Sequence, residues 1–243
     1  MTGTLYGLGV GPGDPELLTL KAHRILRGTF VIAYPQPDDG PSFARSIVAQ
    51  YLTAEQLEIP IIVPMDVKRD PAQEVYARAA ETIAHHLDAG SDVAVLCEGD
   101  PFFYGSFMYL FQHLAHRYPC EVVPGVSSLM AASAAWGRPL AARNDVLTII
   151  PAPLPDAEIR ARIETSDAVA VMKLGRHFPR VRALLREMGL EGQAGYCERV
   201  SLGNEKIMPL NEMGETDAPY FSMILIYKGA EGWVNSLPAR VGA

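Results

Sequence analysis

Five short apolar runs in the first half of the chain, Leu5 to Gly9, Phe30 to Tyr34, Ile59 to Val63, Val93 to Cys97 and Glu121 to Val123, are separated by stretches long enough for helices. Parallel neighbours in a sheet need a crossover between them, and crossover helices cover both faces. The alternation therefore predicts a largely parallel five-stranded sheet buried on two sides. The best-marked spacer carries Val75, Ala79, Ile83 and Leu87 at every fourth position, with Pro71 near its start and Gly90 just past its end.

The second half has a different texture. Val146 to Ile150, Ala168 to Leu174, Ala194 to Val200, Glu205 to Pro209 and Phe221 to Tyr227 read as strands, and the last three follow one another without helix-length spacers. That spacing implies antiparallel pairing and a mixed sheet. The expectation is an α/β protein of two α/β domains, 1–124 and 125–243, divided near Pro124-Gly125.

A chain of 243 residues, 49% hydrophobic and 20% charged, can bury one large core or two modest ones. Its net charge of -7 offers no global attraction for nucleic acid, whose many phosphates favour a basic face. Cys97, Cys120 and Cys197 lie far apart without CxxC spacing, which argues for buried thiols in a reducing compartment rather than a disulfide framework or a zinc site. The pairs His85-His86 and His113/His116 lack a third ligand, so no metal is expected. There is no basic leader at the N-terminus and no window near the ~18 to 20 apolar residues of a membrane span. The expectation is a soluble, cytoplasmic protein that binds neither membrane nor nucleic acid.

Three glycine-bearing turns follow predicted strands. In Gly9-Val-Gly11-Pro12-Gly13-Asp14-Pro15, proline occupies the place of the third glycine of a dinucleotide-binding GxGxxG, which weakens a nicotinamide reading. Asp14 there is expected to cap a helix that Pro15 and Glu16 open and Leu18, Ala22, Ile25 and Leu26 bury. The tripeptide returns as Gly99-Asp100-Pro101 inside LCEGDPFFYGS. It lies at the carboxyl end of a buried strand, where ligands collect in open α/β sheets. Asp100 and Tyr104 are the catalytic candidates of this turn, with helix capping and an ordinary half-buried aromatic as their plain structural alternatives. Pro124-Gly125-Val126-Ser127-Ser128 is the third turn.

GVGPGDPELLTLKA, LCEGDPFFYGS, PGVSS and VMKLG, in that order over nearly the whole chain, resemble the S-adenosylmethionine (SAM)-dependent tetrapyrrole methyltransferases, which lack a Rossmann fold. YPQPD, the LCEGDPFFYGS variant and Tyr196-Cys197-Glu198-Arg199-Val200-Ser201 most resemble the members that methylate precorrin-2 at C-20 in cobalamin synthesis. The resemblance implies SAM bound between two α/β domains, S-adenosylhomocysteine as product, a tetrapyrrole in a trough alongside, and a homodimer. It implies SAM contacts at Pro12, Glu98, Gly99, Asp100, Phe103, Ser127, Ser128, Met172, Val200 and Ser222. Glu98 replaces a glycine common in the family, so its backbone is expected to serve while its side chain points away.

Methyl transfer from a sulfonium needs alignment above all, and positioning alone can lower a barrier by ~7 to 11 kcal/mol. A substrate with many carboxylates asks for arginine forks. Candidates are Arg24 and Arg27, Arg138 and Arg143, and Arg176, Arg180 and Arg182; Arg143 is preferred, and the last group is expected on a solvated helix face. The alternatives are a cobalt-loaded precorrin substrate, another tetrapyrrole, the diphthamide or ribosomal RNA substrates of other relatives, and a SAM- or tetrapyrrole-binding module without catalysis.

Overall fold

A computed structural model describes residues 1–64, 69–214 and 218–236, and the chain divides into two compact units, Met1–Ser127 and Ser128–Ala243. The first unit runs β1 (Leu5–Gly9), α1 (Leu20–Gly28), β2 (Val31–Pro37), α2 (Phe43–Val48), β3 (Leu57–Val63), α3 (Arg69–Asp88), β4 (Val93–Cys97), α4 (Phe107–Leu114) and β5 (Cys120–Val123). The strands form one sheet in the order β3-β2-β4-β1-β5 with every pair parallel.

Strand periodicity divides the apolar residues between the two faces. Val93, Val95 and Cys97 of β4 pack with Ile83 and Leu87 of α3 and Phe107 and Leu110 of α4. Ala94 and Leu96 of the same strand pack with Ile25 and Leu26 of α1 and Ile47 and Val48 of α2. The connections through α1 and α2 thus cross one face and those through α3 and α4 the other. Neighbouring strands β1 and β4 lead to helices on opposite faces, which opens a crevice outside their carboxyl ends.

The start of α1 corrects one expectation. Asp14 Oδ1 accepts from Glu16 N at 2.8 Å and caps a single 3-10 turn, Pro15–Leu17. Leu18 and Thr19 then return to extended backbone, and Thr19 Oγ1 caps α1 by accepting from Ala22 N at 3.2 Å. The turn and the helix are separate elements because two extended residues stand between them.

The second unit runs α5 (Ser128–Trp136), β6 (Leu147–Pro151), α6 (Asp156–Glu164), β7 (Ala168–Met172), α7 (Phe178–Glu187), β8 (Ala194–Glu198), β9 (Lys206–Pro209), β10 (Ser222–Tyr227) and α8 (Trp233–Ser236). Its sheet has the order β6-β7-β10-β8-β9; β6 and β7 are parallel and the other pairs antiparallel. A parallel first sheet and a mixed second one are what the spacing of the apolar runs predicts.

Ile159 and Ile163 of α6 and Phe178, Val181, Leu184 and Leu185 of α7 cover one face of this sheet. On β8, a Cβ at Gly195 would stand 2.3 Å from the Trp136 ring of α5, so only glycine lets that indole lie against the strand. The Arg138 guanidinium stacks over the indole, 4.5 Å from its centroid. Gly195→Ala is expected to cost about 1 to 3 kcal/mol through overpacking, read as a lower urea midpoint with the secondary structure unchanged by circular dichroism.

Candidate functional site

The carboxyl ends of β1, β4 and β5 are joined backbone to backbone. Gly11 and Gly99 form an antiparallel bridge in which Gly99 N donates to Gly11 O at 2.7 Å and Gly11 N donates to Gly99 O at 3.3 Å. A Cβ on Gly9 would lie 2.4 Å from Gly125 N, and one on Gly125 would lie 2.0 Å from Gly99 O. Real Cβ atoms do not come that close, so all three loops meet only because these positions carry no side chain.

Asp100 completes the junction. Its Oδ1 accepts from Phe102 N at 2.9 Å and Phe103 N at 3.0 Å, and its Oδ2 accepts from Gly125 N at 3.1 Å. One oxygen shapes its own turn while the other ties the β4 loop to the β5 loop. Three of the carboxylate's acceptor sites are thus taken by backbone donors. Tyr104 is 45% exposed, its backbone is left-handed at φ 57, and its ring stands edge-on to Phe103.

Glu98 is half-buried beside these glycines. Burial pushes its carboxyl above the usual carboxylate range, while the backbone N–H groups of Glu98 and of Ala44, in the first turn of α2, pull the other way. The Ala44 contribution directs this carboxylate toward α2. Pro12 is buried in the first loop, and Ser127 and Ser128 are partly exposed in the third.

In the second unit, register gathers a second set. Met223 pairs with Met172 and Ser222 with Glu198, so the carboxyl ends of β7 and β8 flank the amino end of β10 at one end of the sheet. Val200 is buried two residues past β8, and buried Ser222 donates its hydroxyl to Pro219 O at 2.5 Å. Both strands stop before their apolar runs do, because Lys173 and Arg199 adopt left-handed backbone at φ 60 and φ 48.

Arg143 is not brought to this set. It precedes β6, and the register Leu147 to Ala168 to Tyr227 places it at the opposite end of the sheet from Met172 and Ser222. There it pairs with Glu231 at 2.9 Å with its side chain 83% exposed. Arg180 and Arg182 depart from the solvated face expected of them. Arg180 bonds Asp156 and Ala152 O, while buried Arg182 bonds Glu191 at 2.7 Å and Gly214 O at 3.1 Å. Arg27 donates to Tyr51 O at 3.3 Å, whereas Arg24 and Arg176 are exposed. Arg199, which the sequence offers only as part of a motif, stands at the Met172 end of β8.

The first unit thus offers loop backbone, Ser127 and Phe103 at its strand ends, and the second unit by itself offers Met172, Val200 and Ser222 at one end of its sheet. Among the described residues no three metal-ligating side chains stand together, and no helix is long and apolar enough to cross a membrane.

The model of the tetrapyrrole (corrin/porphyrin) methylases matches residues 4–214. The chain belongs to that family. It is 43% identical over 235 residues to the cobalamin biosynthesis protein CobIJ of Mycobacterium tuberculosis, covering 93% of this chain but 46% of that protein, so it spans about half the length of that relative. It is 38% identical over 239 residues to the precorrin-2 C(20)-methyltransferase of a Sinorhizobium species, covering 95% of this chain and 96% of the relative. Among solved structures, the uroporphyrin-III C-methyl transferase of Thermus thermophilus complexed with S-adenyl homocysteine superposes with a TM-score of 0.68 at 25% identity, covering 93% of this chain and 98% of that one.

Two outcomes follow for this tetrapyrrole methylase. Asn at position 100 keeps one acceptor oxygen but sets an amide N–H₂ against another N–H. Asp100→Asn should therefore keep the Phe102 and Phe103 amides protected in hydrogen exchange while Gly125 N exchanges faster. The Glu98 carboxyl binds its proton more tightly folded than unfolded, so its contribution is full at acid pH and is lost as pH rises through the raised value. Glu98→Gln should accordingly match the parent in thermal unfolding near pH 4 and exceed it in Tm at pH 7.

Proposed function

We propose that this chain transfers the methyl group of SAM to C-20 of precorrin-2, giving precorrin-3A in cobalamin biosynthesis and releasing S-adenosylhomocysteine. The observation that carries this reading is the end-to-end likeness to the Sinorhizobium precorrin-2 C(20)-methyltransferase, 38% identical over 95% of this chain and 96% of that one.

The residues present fit the cofactor. At Gly9 and Gly125 the loops approach closely with no side chain between them, which gathers the loop ends of β1, β4 and β5 where a small zwitterionic ligand would meet backbone rather than bulky side chains. Pro12, Glu98, Gly99, Asp100, Phe103, Ser127 and Ser128 would hold SAM from the loops, and Met172, Val200 and Ser222 from the second set. SAM, when bound, supplies an electrophilic methyl group. The electron-rich meso carbon of the macrocycle is the nucleophile, so the chain needs no covalent intermediate. Asp100 holds the loops in place, and alignment is the main contribution of the protein. Location in the cytoplasm and assembly as a homodimer belong to the same proposal and rest on the family resemblance alone. The acidic balance supports a reading without nucleic acid.

Calorimetry should show SAM binding at micromolar concentration or tighter with no divalent metal added. Incubation with precorrin-2 and methyl-labelled SAM should give one added methyl by mass spectrometry, placed at C-20 by NMR. Methylation at another carbon, or turnover of the cobalt-loaded macrocycle alone, would reassign the substrate.

A further inference from the structure

The end of β8 carries a hydrogen-bonded chain that neither the family motifs nor the loop glycines explain. Tyr196 is fully buried, its ring edge-on to Phe178 with centroids 5.4 Å apart. Its hydroxyl donates to Oε2 of buried Glu198 at 2.6 Å, and the other oxygen of Glu198 pairs with Nη1 of Arg199. Burial, followed by the bond to Glu198, pushes the Tyr196 hydroxyl well above its usual range, so it remains a donor and Glu198 the acceptor.

Arg199 is fixed at its other end too. Its backbone N–H donates to Phe221 O at 2.9 Å, and its left-handed conformation turns it out of the strand. Among the described residues its guanidinium bonds to Glu198 alone, and its side chain is 40% exposed. One of its five donors is thus spent on orientation, and the rest of the fork is presented at the end of the sheet that carries Met172 and Ser222. Of the other candidates, Arg27, Arg180 and Arg182 are engaged within the chain, Arg143 lies at the far end of its sheet, and Arg24 and Arg176 are exposed.

We propose that Arg199 receives a carboxylate of the tetrapyrrole substrate, and that Tyr196 and Glu198 are positioning residues that hold its guanidinium for that contact. The inference rests on the function proposed above. It commits to a carboxylate because a planar fork, pre-oriented on one edge, matches that group in two parallel hydrogen bonds.

The test is steady-state methylation of precorrin-2 under anaerobic conditions, with S-adenosylhomocysteine binding by calorimetry and Tm in parallel. Arg199→Ala leaves the buried Glu198 charge without its cation and risks misfolding. The double variant Glu198→Gln/Arg199→Gly is therefore made beside it, removing that charge and placing glycine where the backbone is left-handed. The expected result is a precorrin-2 KM about 10- to 100-fold higher in both, the size of losing a charge-assisted pair. The KM for SAM and the Kd for S-adenosylhomocysteine should stay within about twofold of the parent by the same argument. Arg199→Lys should restore only part of the loss, because an ammonium lacks the fork. Glu198→Gln alone should raise the precorrin-2 KM with kcat nearly unchanged. A folded double variant with the parent's precorrin-2 KM overturns the inference, and so does a parallel loss of S-adenosylhomocysteine binding. If the parent itself methylates neither metal-free nor cobalt-loaded precorrin-2, the proposed function falls and takes the inference with it.

Discussion

Gly9, Gly99 and Gly125 touch through their backbones, and the first unit's strand ends depend on that contact. The routing of β1 and β4 to helices on opposite faces pulls their loops apart, yet the Gly11–Gly99 bridge requires them to meet. A Cβ at Gly9 or Gly125 would fall within 2.0 to 2.8 Å of the facing backbone, so neither position accepts a side chain with the loops in contact. Once the backbones are in contact, Asp100 can reach three N–H groups from two loops. Bonds to an ionised acceptor are worth about 1.5 to 3 kcal/mol each, against ~0.5 to 1.5 for neutral ones. The acidic residue of this turn thus sets the geometry of both loops.

The second unit solves the same problem of turning the chain at a strand end by other means. Lys173, Arg199 and Ser201 hold left-handed backbone without being glycine, at about 1 to 2 kcal/mol per residue. Glycine would remove that cost and with it the side chain. At Arg199 the side chain is kept by an ion pair with Glu198, which is itself anchored by Tyr196 in the core. The Met172 end of this sheet is built from side chains, whereas the loop junction of the first is built largely from backbone.

Much of this architecture is legible in the sequence. The spacing of apolar runs is a local signal, and it separates a parallel first sheet from a mixed second one. The glycine turns are local as well. What escapes is set by partners far along the chain. Asp100 reads as a cap because its bonds to Phe102 and Phe103 are local, but its bond to Gly125 spans 25 residues. Asp14 reads as the cap of α1 because nothing in GDPELL announces that Leu18 and Thr19 are extended. Arg143 looks like a substrate arginine from its place after the third turn, and only the register of β6, β7 and β10 carries it to the other end of the sheet. Arg199 sits in a motif that drew notice, but its role depends on a left-handed φ that sequence does not reveal for arginine.

A sulfonium methyl group is an alkylating agent, and a thiolate is the strongest nucleophile a chain can offer it. Cys97 ends β4 and is followed by Glu98, and Cys197 stands one residue before Glu198 at the end of β8. Both are buried, and both thiols are driven upward, Cys197 to about 12. For Cys97, burial is the largest cause, and the charges of Glu98 and Asp100 add to it. The carboxylates that shape the loop therefore also keep the adjacent sulfur protonated. Burial on the helix-covered face, where Cys97 packs with α3 and α4, withholds it sterically as well. For the proposed methyl transfer, silencing the chain's own sulfurs leaves a carbon of the macrocycle as the accessible nucleophile.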